Sequence, residues 1–61
     1  MRYRKAGIEN VLIFKNGKRV FYGPRTVYTK DFSGRTYIRY KNKYYHARYY
    51  GRNNYEVYIR Q

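Results

Sequence analysis

Hydrophobic and polar side chains alternate along the C-terminal half of the chain with a period of two. Tyr55, Val57 and Ile59 interleave with Glu56, Tyr58 and Arg60. Thr36, Ile38 and Tyr40 interleave with Arg35, Tyr37 and Arg39, and Tyr45, Ala47 and Tyr49 with Tyr44, His46, Arg48 and Tyr50. Successive side chains of a β-strand point to opposite faces, so each series divides into an apolar face and a charged one. The first-named set of each pair belongs in a core. The opposite facing would bury Arg39, Arg48 and Arg60 without partners, at a prohibitive desolvation cost. No window carries convincing helical periodicity.

Turn residues cut the remaining chain into similar pieces. In VLIFKNGKRVFYG (residues 11–23), Asn16-Gly17 lies between two apolar runs and supplies the positive φ angles of a type I′ turn. This predicts a hairpin of residues 11–15 and 18–22, ended by Gly23-Pro24. A further strand is expected over 25–30, a turn at DFSG (31–34), and a strand over 35–40. A short turn follows at KNK (41–43), with Asn42 left-handed, then a strand over 44–50, a turn at GRNN (51–54) and a last strand over 55–60. Residues 1–8 read as a basic N-terminal arm or a short edge strand, and residues 9–61 as one small β domain. Val11, Leu12, Ile13 and Phe14 are apolar on both faces, which predicts a strand covered on both sides.

Five or six short strands joined by tight turns predict an all-β fold, an antiparallel meander closed into a small SH3-like barrel. An open curled sheet that forms a homodimer is the alternative. Composition agrees: Leu occurs once and Ala twice, while Tyr occurs 11 times among Val, Ile, Thr and Phe. At 61 residues the core is small. The chain has no Cys, hence neither disulfides nor a thiolate metal site, which fits a reducing, cytoplasmic setting. Its longest apolar run, residues 11–14, is too short to span a membrane as a helix.

Charge changes the picture most. Fifteen Lys and Arg face three acids, for a net +12. The two halves of the chain, residues 1–34 and 35–61, each carry +6. Solubility alone needs a net charge of only about 2–8 and is served better by acids. A uniformly basic small domain repels itself, and a polyanion relieves that repulsion. The outward-facing sets of the last three strands then form one patch: Arg35, Tyr37, Arg39, Tyr44, His46, Arg48, Tyr50, Tyr58 and Arg60, with Glu56 its sole acid and Lys41 in the adjoining turn. Arginine and lysine neutralise phosphates, and exposed rings stack on unpaired bases at about 1–3 kcal/mol each.

The patch therefore predicts a non-enzymatic nucleic-acid-binding protein of low sequence specificity, with single strands slightly favoured over duplex and association with the nucleoid as one setting. Arg35, Arg39, Lys41, Arg48 and Arg60 would hold phosphates; Tyr37, Tyr44, His46, Tyr50 and Tyr58 would meet bases or sugars. The rival is a protein-interaction module, since Tyr and Arg are also hot-spot residues of protein interfaces. Catalysis has little support: His46 is the only His, and Glu9, Asp31 and Glu56 are not paired in spacing. No metal-ligand spacing or cofactor motif occurs. In size and charge the chain resembles the small basic chromatin proteins of archaea. The likeness is one of class: there is no Trp and the only Met is Met1, so it assigns no residues.

Overall fold

The computed structural model describes residues 2–30 and 34–60. They form five strands and no helix: β1 (Tyr3–Lys15), β2 (Lys18–Lys30), β3 (Thr36–Tyr40), β4 (Lys43–Gly51) and β5 (Asn54–Ile59). Consecutive strands pair antiparallel. The sheet closes because the second half of β1 runs parallel to β5, from Asn10 beside Asn54 to Lys15 beside Ile59. The result is an all-β, SH3-like barrel whose closing seam is parallel and the other four antiparallel.

Three two-residue turns set the register. Asn16 and Gly17 both have positive φ (51° and 84°), the type I′ geometry that Asn-Gly favours. The turns Lys41-Asn42 (49° and 67°) and Arg52-Asn53 (53° and 60°) adopt the same left-handed pair. Asn42 is left-handed as its residue type predicts; Lys41 and Arg52 take that conformation without a side chain that favours it. Of the expected turn at 31–34, only Gly34 lies within the described residues.

The N-terminal half departs from the sequence expectation. Residues 3–8 form the first half of β1, paired with β2 from Tyr3 opposite Lys30 to Ile8 opposite Thr26. A bulge leaves Ala6 out of register, and Gly7 beside it takes φ 141°, where a side chain would be strained. Gly23-Pro24 does not end a strand: β2 runs through it, with Pro24 opposite Asn10. Here β2 has only β1 as a paired neighbour among the described residues, and at such an edge the missing proline N–H breaks no second ladder.

The core is Val11, Ile13, Val27, Ile38, Ala47, Val57 and Ile59, all buried, with Phe21, Tyr40, Tyr45 and Tyr55 packed partly over it. The alternation read from β3–β5 holds for Ile38, Ala47, Val57 and Ile59. Tyr49 is the exception. It was expected inside and is 58% exposed. A bulge between Tyr49 and Gly51 shifts the end of β4, and Tyr49 lies edge-on to Tyr55 at 5.3 Å. Its hydroxyl accepts a hydrogen bond from the Asn53 backbone N–H at 3.3 Å, which ties the ring to the β4–β5 turn.

Candidate nucleic-acid interface

Core residues on β3, β4 and β5 fix the opposite face of each strand. Ile38 inward sends Tyr37 and Arg39 outward; Ala47 sends His46 and Arg48 outward; Val57 and Ile59 send Tyr58 outward. Cross-strand pairing then places Tyr37 opposite His46, Arg39 opposite Tyr44, and Arg48 opposite Glu56. Lys41 sits in the β3–β4 turn. Arg35, just before β3, and Arg60, just after β5, are exposed, as are Lys41, Arg39, His46, Arg48, Tyr50 and Tyr58.

The residues divide into two neighbourhoods. His46, Arg48, Glu56, Tyr58 and Arg60, with Tyr45 beneath them, line one open groove of about 400 Å³. Tyr58 lies along it, 57% exposed, with its ring stacked on Phe14 at 5.0 Å and 7° between planes. Its hydroxyl donates to Glu56 Oε1 at 3.2 Å. The Tyr58 pKa is raised above its ordinary value, first by desolvation and then by this hydrogen bond and the Glu56 charge; Arg48 acts in the opposite direction. Tyr50, 48% exposed, is near enough to add to the same shift.

In the second neighbourhood the rings occupy one another. Tyr3 stacks face to face on Tyr44, with centroids 3.7 Å apart and planes 2° apart. Tyr3 also meets the edge of Tyr37 at 5.3 Å, and Tyr28 meets Tyr44 at 5.1 Å. Tyr37 reaches His46 at 5.7 Å. Cations border this cluster: Lys30 Nζ lies 6.0 Å from both the Tyr3 and Tyr37 rings, and the Arg39 guanidinium 5.8 Å from Tyr44. Tyr37 and Tyr44 are therefore half-buried, whereas Tyr50 and Tyr58 keep open ring surface. An aromatic face already stacked on a neighbour cannot take a base until that neighbour moves.

Sequence reasoning missed Tyr3, Tyr28, Lys30 and Phe14. Tyr28 was within reach of the alternation rule, since Val27 inward implies Tyr28 outward. Phe14 was not, because residues 11–14 are apolar on both faces. Tyr3 gave no such signal, because its stacking partner is far away in the chain. Among the described residues no group of three or more His, Cys, Asp or Glu is placed to hold a metal ion, and no helix is long and apolar enough to cross a membrane. No family model matches the chain, and neither a curated protein nor a solved structure does.

Proposed function

We propose that this barrel is a non-enzymatic nucleic-acid-binding protein of low sequence specificity, acting in the cytoplasm, where association with a nucleoid would suit it. The observation that carries the reading is the groove around Tyr58. An open ring there is flanked by Arg48, Arg60 and His46, with Glu56 as the single acid. Stacking on the ring and phosphate contacts by the arginines act on adjacent parts of one strand, which favours single-stranded over duplex nucleic acid. Glu56 is engaged by the Tyr58 hydroxyl, so it contributes less repulsion toward a phosphate than a bare carboxylate would.

The test is titration of the protein into labelled single-stranded DNA, duplex DNA and RNA of mixed sequence at two salt concentrations. Binding should be tightest to single strands and fall linearly on a log–log salt plot. Weak binding to all three would rule the reading out. A protein-interaction surface is the competing reading, favoured by Ile8, Val20 and Tyr22, which leave apolar surface exposed on the β1–β2 hairpin. Such an interface would respond far less to salt.

A further inference from the structure

Arg25 falls outside the patch on β3–β5, yet it is among the most constrained cations in the molecule. Its guanidinium lies 4.7 Å from the Phe21 ring centroid and 5.5 Å from that of Tyr40, two rings packed against the core. Its Nε and one terminal nitrogen donate to the Arg39 carbonyl at 3.2 and 3.0 Å. These bonds use two of the five guanidinium N–H donors; the others stay available to a ligand. The group is thus held in place before anything binds, which lowers the ordering cost of binding.

Around it is an open pocket of about 370 Å³ lined by Arg25, Thr26, Tyr28, Arg39, Lys41 and Asn42. Among the described residues no carboxylate is in the lining. The Asn42 Oδ1 acceptor is taken by Arg39 at 3.3 Å, which leaves the asparagine N–H groups. Lys41 Nζ stands 5.6 Å from the centroid of the same Tyr40 ring that Arg25 covers. Lys41 reaches this position from a left-handed turn site (φ 49°) that Asn or Gly would fill with less strain. Glu9 is the cross-strand neighbour of Arg25 on β1 but is not among the lining residues. Three cations, two hydroxyls and an amide donor lining one pocket match one ligand chemistry, a compact oxyanion with several acceptor oxygens.

We propose that this pocket is a phosphoryl-binding site, in which the end of the Arg25 guanidinium grips two oxygens while Arg39 and Lys41 supply charge. The site deepens the nucleic-acid reading, on which it rests for the identity of the larger ligand, and the two can fail separately. The shared chemistry is the phosphoryl oxyanion. A backbone phosphodiester and free phosphate are its two sources.

The test is amide and side-chain NMR of the full chain, titrated at constant ionic strength with inorganic phosphate and, separately, with dimethyl phosphate. Shifts should concentrate at Arg25, Thr26, Lys41 and Asn42. Lys41→Asn should weaken phosphate binding about tenfold, the loss of one charge-assisted contact, while the turn becomes no less stable. Arg52→Asn, the same change in the β4–β5 turn, should leave phosphate binding unaltered. Saturable binding of dimethyl phosphate at these residues would identify the backbone as the source, and binding of inorganic phosphate alone would identify free phosphate; either supports the pocket. Shifts spread evenly over the basic surface, or equal losses in the Lys41 and Arg52 variants, would overturn it. Oligonucleotide binding that persists with no phosphate response here sinks the pocket alone. A localised phosphate response without oligonucleotide binding upholds the pocket and removes the nucleic-acid reading.

Discussion

At the scale of single residues, Tyr58 joins stability to function, because its ring rests on Phe14 and its hydroxyl on Glu56. The two halves of the side chain separate by mutation. Tyr58→Phe keeps the stack and should leave single-strand affinity within about twofold, whereas Tyr58→Ala should cost about 1–3 kcal/mol of binding if one base stacks there. The hydroxyl shows itself at high pH. Desolvation and Glu56 raise the phenol pKa in the folded chain, so the folded state keeps this proton after the unfolded state has begun to release it. The contribution is intact below the ordinary tyrosine range near pH 10 and is lost as pH rises through the raised folded value. Thermal melts between about pH 8 and 11 should therefore decline more steeply for the native chain than for Tyr58→Phe. Equal slopes would mean that Glu56 does not hold the hydroxyl.

At the scale of the strand, the first half of β1 is held from two sides, by its ladder to β2 and by the Tyr3 ring on Tyr44. Tyr3→Ala should lower stability by about 1–3 kcal/mol, combining lost area with lost ring contacts. It should also uncover Tyr44. If Tyr44 belongs to the binding surface, the variant gains single-strand affinity while it loses melting temperature. If both fall together, Tyr44 serves packing only. By contrast, Ile38→Ala removes a fully buried side chain from the core and should cost about 2–5 kcal/mol; an unchanged melt would contradict the register of β3.

What could be read in the sequence follows the same division between local and distant contacts. On β3, β4 and β5 one face is apolar and the other charged, so alternation alone decides which side chains point out. Val11–Phe14 is apolar on both faces, and alternation cannot choose; the choice comes from β5, whose Tyr58 supplies a partner for Phe14 outside the barrel. Gly23-Pro24 reads as a break because the sequence does not show that β2 has only one paired neighbour at that point. Tyr49 keeps the alternation, in register opposite Tyr55, yet it lies at the end of the regular ladder just before a bulge, where its ring stays exposed. The groove at Tyr58 was thus legible, and the Tyr3 stack and the Arg25 pocket were not, since each joins strands that are remote in the chain.

At the scale of the whole molecule, a net charge of +12 over a core of seven buried residues among those described sets two salt effects against each other. Counterions screen the self-repulsion of the barrel, for the Debye length falls from about 10 Å at 0.1 M toward about 3 Å at 1 M. Raising salt from about 50 to about 500 mM should therefore raise the melting temperature of the free chain. The same change should strip a nucleic acid from it, because each phosphate contact exchanges with released counterions. A bound polyanion stabilises the fold by mass action, so the protection it gives should shrink with salt while the free chain gains. Melts with and without a single-stranded oligonucleotide, across that salt range, should converge from opposite directions. Parallel curves would mean that the oligonucleotide does not act through the charge of the folded barrel, and the polyanion reading would fall with it.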